Sequence, residues 1–195
     1  LVAGSGANPK VTYKVPNVIT DQIDLLYANH ETHVDMNQPT GEDKSVTLKF
    51  NHALSRITVK ASENVSEYNY NIKAVTLGGK FITKGNLTLS DNTWEAVTTA
   101  TAETPETYSF FTGDQLVPTP AAAQEGVAAV EAHDFAGTDN YLMVIPVNFA
   151  EGATTEGEGE EAVTTYPNAA TLSVTYTTTF VDGNHVSNPM TKTLP

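Results

Sequence analysis

A histidine-containing segment offers the residue types that bind a metal ion: His30, Glu31 and His33, followed by Asp35. Imidazole and carboxylate groups are ordinary zinc ligands, but they hold an ion only where they converge on it. The zincin pattern puts glutamate directly after the first of two histidines that lie four residues apart, whereas these histidines are three residues apart. Neighbouring asparagines and a proline favour a loop. The sequence therefore predicts a solvated loop and no metal site.

Residues 151–161 form an acidic segment that carries five glutamates among glycines and threonines. Carboxylate oxygens are calcium ligands, so a calcium loop is one alternative. The segment lacks the Asp-x-Asp-x-Asp-Gly order of a known calcium loop. A charged surface loop explains the composition better, and we predict no cofactor here.

The sequence lacks the spacing of a catalytic nucleophile or of a phosphate-binding loop. It contains no Gly-x-Ser-x-Gly turn, and Gly4-Ser5-Gly6 is typical of a flexible end. Gly78-Gly79-Lys80 lacks the rest of a P-loop and predicts a hairpin turn instead. Paired carboxylates for glycoside cleavage depend on separation in space, so a hydrolase stays an alternative that rests only on the 23 acidic residues. We predict a non-enzymatic protein without catalytic residues or cofactors.

Trp94 is the only tryptophan and follows shortly after the Asp91-Asn92 turn. Its ring could stack on a sugar or anchor the core. Core packing is the commoner role of a single tryptophan on a strand, and we predict that role.

The charge balance excludes some classes of partner. The 195 residues include 23 acidic and 10 basic side chains, a formal net charge of -13. Such a chain does not neutralise phosphates or anionic lipids, so we predict no nucleic acid partner.

The absence of cysteine excludes a disulfide framework, a thiolate metal site and a cysteine nucleophile. Hydrophobic residues make up 39% of the chain, enough to fill the core of one domain.

Short runs of alternating apolar and polar residues, rich in valine, isoleucine, threonine and aromatics, predict strands with one buried face. The clearest runs are residues 46–50, 57–60, 71–75 and 172–180. Residues 141–147 are continuously apolar, which predicts a strand buried on both faces and stopped or bent by its proline. The pattern predicts an all-β fold with this last run in the middle of the core.

Turn residues separate the predicted strands at Gly78-Gly79, Ser90-Asp91-Asn92 and Asp182-Gly183-Asn184. The last turn predicts a hairpin between a strand that ends at Val181 and one that begins near His185.

Three stretches have no period able to bury a face and are predicted as loops: residues 98–107, 118–132 and 151–165. Within the second, the alanine-rich residues 121–130 predict either a short helix or a loop. Gly126 weakens the helix alternative, since glycine costs about 1 kcal/mol relative to alanine in a helix.

The segment Phe50-Asn51-His52-Ala53-Leu54-Ser55-Arg56-Ile57 resembles the fimbrillin-like lipoproteins of Bacteroidetes, the major and minor fimbrial subunit superfamily of type V pili. In that family a strand ending in Phe-x-His-Ala-Leu precedes serine or alanine, a basic residue and an apolar strand. Three further features match in order: Asp24-Leu25-Leu26-Tyr27-Ala28, the buried strand running into Ile145-Pro146, and the late strand at residues 172–176. Together the matching features span most of the chain.

The alternation of side chains gives this segment a structural meaning. Leu48 and Phe50 lie on one predicted strand face, and Ile57 resumes the alternation after a brief connection. We expect Ala53 and Leu54 to fill the core at the corner, with His52 and Arg56 hydrogen-bonding across it. The segment is therefore interpreted as a structural signature, with no active site.

The resemblance implies a β-sandwich of the transthyretin-like, Greek-key fimbrillin type. It implies export as a lipoprotein, a place on the cell surface in the fimbrium or attached to the outer membrane, and a role in cell adhesion. The partners would be other pilus subunits joined by strand donation, in which proteolysis removes an N-terminal strand and a neighbour's terminal strand replaces it. Lys10 and Lys14 are the candidate cleavage sites.

We predict a flexible segment or first strand over residues 1–20 and one fimbrillin-like sandwich domain over residues 21–195. Relatives continue after the corresponding point with another C-terminal strand pair, which this domain is expected to lack. Two alternatives to a structural or tip subunit of a pilus stay open. One is a surface lipoprotein that binds glycans, suggested by Trp94, eight tyrosines and the long loops. The other is a hydrolase. A tip subunit would add host or bacterial surface glycans or proteins to the partners.

Overall fold

The computed structural model describes residues 9–28, 48–63, 67–101, 106–118, 131–135, 141–157, 163–166, 168–181, 183 and 185–194. Regular structure in these ranges is almost entirely β-strand, with one short 3-10 helix at Ile19–Asp21. Over the same ranges, no helix has the length and apolar character needed to cross a membrane.

The strands vary from two-residue pairings to long central strands. In chain order they are β1 (Lys10–Lys14), β2 (Leu26–Ala28), β3 (Phe50–His52), β4 (Ser55–Ile57), β5 (Lys60–Ala61), β6 (Tyr68–Gly79), β7 (Ile82–Thr88), β8 (Thr93–Thr99), β9 (Glu106–Leu116), β10 (His133–Asp134), β11 (Leu142–Val144), β12 (Thr154–Glu156), β13 (Val163–Thr165), β14 (Thr171–Phe180) and β15 (Met190–Leu194).

Two larger antiparallel sheets organise the fold. One has the strand order β1-β7-β8, and the other has the order β15-β14-β6-β9. Smaller two-stranded units pair β2 with β3, β4 with β11, β5 with β10 and β12 with β13. The all-β sandwich predicted from the sequence is confirmed.

Side chains from both larger sheets meet in the main core. Leu77 of β6 and Tyr108 of β9 come from one sheet, while Val15 extends from the end of β1 in the other. Phe81, fully buried between β6 and β7, makes edge-on ring contacts with Tyr108 at 5.3 Å and with Phe149 at 5.6 Å. The enclosed cluster consists of Val15, Ile19, Leu54, Leu77, Phe81, Tyr108, Leu142, Val144 and Ile145.

A second apolar cluster lies along the larger sheet. It is built on Ile72 and Val75 of β6 together with Val117 and Phe135. Opposite them in register, Val174 pairs with Val75, and Tyr176 pairs with Ile72 after a bulge. The bulge changes the register between β14 and β6, which lets the same sheet face contribute to both clusters.

Several predictions from the pattern are confirmed. Residues 71–75 lie inside β6, and residues 172–180 lie inside β14. The Ser90-Asp91-Asn92 turn connects β7 to β8, with Asn92 in the left-handed conformation that asparagine tolerates. Trp94 packs against the main core, where its indole Nε1 donates a hydrogen bond to the Ala53 carbonyl oxygen at 3.0 Å.

The predicted central strand and hairpin also hold. In the run 141–147, Leu142, Val144 and Ile145 are buried, although the strand itself ends at Val144. β14 and β15 form the predicted C-terminal hairpin, and Gly183 occupies its turn with a φ of 77°. The second strand begins at Met190 and not near His185 as predicted, although Val186 makes an isolated bridge to Thr179. Asp182 and Asn184 lie outside the described residues.

Three predictions about turns, strands and loops were wrong. Gly78-Gly79 is not a hairpin turn, because β6 and β7 belong to different sheets and the chain crosses between them. The run 57–60 is not one strand, since it divides between β4 and β5, which pair with β11 and β10. The predicted loop at 151–165 contains the β12–β13 ladder, in which the hydroxyls of Thr155 and Thr164 lie 2.9 Å apart. Both strands are exposed at every position, so the sequence shows no alternation of apolar and polar residues there.

Other predictions fall wholly or partly outside the described residues. They include the histidine segment at 30–35, Gly4-Ser5-Gly6, the helix-or-loop alternative at 121–130, and the first two residues of the run 46–50.

Gly85 on β7 tests how closely the β1-β7-β8 sheet packs against Ile145, the residue that follows β11. An added Cβ would lie 2.9 Å from Trp94 Cε3 and 3.1 Å from Ile145 Cδ1. We expect Gly85→Ala to lower the free energy of unfolding by about 1–3 kcal/mol, as overpacking does, measured by urea unfolding. Gly78→Ala is the matched control, because its Cβ would meet Thr107 Oγ1 at an ordinary 3.5 Å. Equal losses in the two variants would contradict the packing.

Tyr108 tests the polarity of the main core. Its hydroxyl is buried without a hydrogen-bond partner among the described residues, and burial raises the pKa of Tyr108 well above its ordinary value. The unfolded chain releases the Tyr108 proton near pH 10, whereas the folded chain still holds it there. The free energy of unfolding is therefore independent of this group below about pH 10 and declines as the pH rises further. We expect Tyr108→Phe to keep or raise stability at neutral pH, by up to about 1 kcal/mol. The variant should also lose stability less steeply between about pH 9 and pH 11. An unchanged alkaline slope in unfolding experiments would contradict this.

Candidate assembly surface

Strand β1 lies at one side of its sheet. It runs antiparallel to β7, with Val11 opposite Leu87 and Tyr13 opposite Gly85. Backbone bonds continue past both ends of the strand, from Leu89 N–H to Pro9 O and from Val15 N–H to Thr83 O, each at 2.9 Å. In the described part of the chain, β7 is the sole neighbour of β1 in the sheet. β1 is therefore an edge strand with one row of backbone bonds.

Alternate side chains of β1 enter the protein. Val11 and Tyr13 are half-buried and Val15 is only 1% exposed, whereas Lys10, Thr12 and Lys14 point outward. The Tyr13 hydroxyl donates to the Ile23 carbonyl oxygen at 3.1 Å, and burial raises the pKa of Tyr13. The inward side chains of Val11, Tyr13 and Val15 therefore occupy an apolar site on the protein, which we call the β1 slot.

An apolar groove of about 470 Å³ lies beside β1. Its wall on the sheet side includes Val11, Leu87 and Leu89, and its other wall comes from the β2–β3 pair and the residues next to it. Leu26, Leu48 and Phe50 are 48%, 47% and 60% exposed. The expected burial of Leu48 and Phe50 in the core was therefore wrong, because in the described residues β3 pairs with β2 alone.

A hydrogen-bonded histidine–aspartate pair lies at the rim of this groove. His52 Nδ1 and Asp24 Oδ2 are 2.5 Å apart, and the two residues tie β3 to the segment that leads into β2. The other oxygen, Asp24 Oδ1, is buried without a hydrogen-bond partner among the described residues. His52 therefore bonds to Asp24, and the expected bond between His52 and Arg56 is not formed. The Arg56 guanidinium stacks on the Tyr141 ring instead.

Strand β15 forms a second edge. It pairs with β14 through five positions, from Leu172 opposite Leu194 to Tyr176 opposite Met190, and all five of its residues are exposed. On the outer face, hydroxyl pairs join the strands, with Thr175 and Thr191 oxygens 2.9 Å apart. Within the described residues the edge of β15 away from β14 has no strand partner.

The residues that suggested chemistry do not converge in the described structure. Glu151 and Glu156, the described members of the acidic segment, are exposed. No group of three or more histidine, aspartate or glutamate side chains among the described residues is placed to hold a metal ion. Ala53 and Leu54, expected to fill the core at the corner of the fimbrillin-like segment, are buried at 3% and 7% exposure. Within the segment, the core-filling role predicted for Ala53 and Leu54 is therefore confirmed, whereas the contacts expected of Phe50, His52 and Arg56 are not.

Comparison with known families assigns the chain. The model of a family described as fimbrillin-like matches residues 3–188. The chain belongs to the fimbrillin-like family. The resemblance seen in the sequence is thereby confirmed. Searches of curated proteins and of solved structures gave no match.

Membership of the fimbrillin-like family gives the two edges a context. It supports a fimbrial subunit, an extracellular location on the pilus, and association with other pilus subunits. Subunits of a fibre need surfaces that join copies head to tail. Open strand edges next to an apolar groove are surfaces of this kind.

Val11 and Thr12 distinguish the inward and outward sides of β1. Val11→Asp places a carboxylate in the apolar slot, while Thr12→Asp adds the same charge on the solvent side. We expect Val11→Asp to lower the free energy of unfolding by about 1–3 kcal/mol and to speed amide hydrogen exchange in β1 and β7. Thr12→Asp should leave exchange close to that of the parent. Similar exchange rates in both variants would contradict the slot.

Proposed function

We propose that this fimbrillin-like protein is a non-enzymatic structural or tip subunit of an adhesive surface pilus, assembled by strand exchange at β1. An N-terminal segment that includes β1 is cut from the rest of the chain, and a terminal strand of a neighbouring subunit takes its place. The observation that carries the proposal is the single-sided pairing of β1, whose inward side chains occupy an apolar slot. A tip subunit would in addition contact host or bacterial surface glycans or proteins.

Loss of β1 would leave a site that favours refilling. Leu87 is fully buried behind β1, and its exposure to water would be unfavourable. The backbone groups of β7 that face β1 would lose their partners as well. A donated strand restores both, with backbone bonds supplying affinity and alternate side chains supplying specificity.

The position of the cut matters for release. Lys14 ends β1, Val15 after it is buried, and Asn17 and Val18 in the following connection are exposed. A cut in this connection leaves β1 held only by its noncovalent pairing with β7. We propose that such a cut activates the subunit for assembly.

β15 is the described strand with the features of a donor. It is exposed along its whole length and, among the described strands, is paired with β14 alone. Met190, Lys192 and Leu194 alternate on one side of it, opposite Tyr176, Val174 and Leu172. We also propose that the subunit is exported as a lipoprotein and held at the outer membrane directly or through the fimbrium.

A reversible lock on β1 tests strand exchange. Thr12 and Asn86 face each other across β1 and β7, with side-chain atoms 2.7 Å apart, and the chain has no cysteine to interfere. The parent for the test carries Asn17→Arg together with Lys10→Gln and Lys14→Gln, so that trypsin cuts after β1 and leaves the strand itself intact. After digestion we expect the Thr12→Cys/Asn86→Cys variant to stay monomeric when oxidised. When reduced, it should form oligomers or capture a labelled peptide of residues 185–194, as measured by light scattering and fluorescence anisotropy.

The controls separate the parts of the proposal. Thr155→Cys/Thr164→Cys locks the β12–β13 pair and should leave exchange unaffected when oxidised. A peptide of residues 9–17 should rebind the trimmed protein. Capture of that peptide alone would support a replaceable edge and exclude β15 as the donor. A trimmed, reduced protein that stays monomeric and captures neither peptide would refute strand exchange at β1.

A further inference from the structure

A second cavity, of about 250 Å³, lies beside the second core cluster. It shares no lining residue with the groove beside β1. Its walls combine apolar, aromatic and acidic groups. The lining residues are Ala61, Ser62, Glu63, Tyr70, Ile72 and Val117.

Glu63 is the unusual member of this lining, because it is only 7% exposed. Hydrogen bonds hold it in position, among them one from Tyr70 N–H to Glu63 Oε2 and one from Glu63 N–H to the Pro118 carbonyl oxygen, each at 3.2 Å. A carboxylate accepts about four hydrogen bonds, so it can receive several donors at once. A guanidinium or ammonium group is a favourable additional donor, because hydrogen bonds between charged groups are stronger than those between neutral groups.

Aromatic rings extend from this cavity along one face of β6 and β14. Tyr70 and Tyr176 have ring centroids 5.8 Å apart, and Tyr68 and Phe180 follow with centroids 4.7 Å apart. Phe180 is 42% exposed, so the row reaches solvent. Half-buried tyrosines that lead to an exposed phenylalanine, beside a nearly buried carboxylate, are typical of a recognition surface.

We propose that the Glu63 cavity binds a basic side chain, with arginine preferred, presented by a partner protein. A guanidinium donates two parallel hydrogen bonds to a carboxylate and stacks on aromatic faces. The neighbouring tyrosine rings add cation–π attraction. The chain's net charge of -13 attracts a basic partner over longer distances.

The size of the cavity supports this choice. Sites that enclose drug-sized ligands measure roughly 300–1,000 Å³, and this cavity is smaller. It accommodates one side chain while the aromatic row contacts the residues on either side of it. The proposal does not depend on strand exchange, since none of its residues belongs to β1, β7 or the groove.

Matched peptides test the proposal on the full-length protein. The probes are N-acetyl-Gly-Arg-Gly-amide and the same peptide with citrulline, which keeps the shape of arginine and removes its charge. We expect the arginine peptide to shift the backbone NMR signals of Ser62, Glu63 and Tyr70 with a millimolar Kd, as a small ligand does. The citrulline peptide should bind at least tenfold more weakly. This comparison needs no variant, so misfolding cannot obscure it.

Glu63→Gln adds a second test. Glutamine keeps an oxygen that can accept the Tyr70 N–H, so we expect the variant to fold and to lose the preference for arginine over citrulline. Glu95→Gln is the control, because Glu95 is an exposed carboxylate paired with Lys10. Equal binding of the two peptides to the parent would overturn the proposal, as would shifts confined to other residues. A cavity that takes neutral monosaccharides but not the arginine peptide would also overturn it and favour a glycan site.

Discussion

The crossing of the chain from β6 to β7 is the constraint on which the rest of the sandwich depends. The crossing takes β7 out of the sheet that contains β6, and Phe81 within it is fully enclosed by the apolar cluster. Gly79 allows the close approach, because an added Cβ would lie 3.2 Å from Ala170 Cα. The Phe81 carbonyl oxygen also accepts the Ala100 N–H at 2.8 Å, which ties the end of β8 to the same point. Without this crossing, the apolar faces of the two sheets would have no common core.

The crossing also determines which strands become edges. β7 enters the second sheet between β1 and β8, so β1 completes the sheet on one side through long-range pairing with β7, as in Lys10 opposite Thr88. Its inward side chains still contribute to burial, since Val15 belongs to the main core and Tyr13 packs against it. An edge strand of this kind stabilises the fold while it is paired. Under the proposed strand exchange, its removal exposes the backbone groups of β7 and the apolar site that its inward side chains filled. That combination suits a subunit that must fold before assembly and join a neighbour afterwards.

Two regions with different chemistry follow from this arrangement. The groove beside β1 is apolar and continuous with a sheet edge, which favours an extended backbone as its occupant. The cavity at Glu63 is smaller, acidic and flanked by aromatic rings, which favours a single side chain. Separate regions for joining subunits and for contacting a further protein allow the two events to occur on one molecule.

The sequence by itself determined the all-β class, the strands at 71–75 and 172–180, and the hairpin turns after β7 and β14, because alternation and turn chemistry are local properties. The resemblance at residues 50–57 identified the family. It also placed Ala53, Leu54 and Trp94 in the core. It could not distinguish a turn within one sheet from a crossing between two, so Gly78-Gly79 was assigned to a hairpin. Nor could it find the slot of β1, the exposure of Phe50 or the cavity at Glu63. Those features depend on which strands become neighbours across many residues of sequence, and only the tertiary structure decides that pairing.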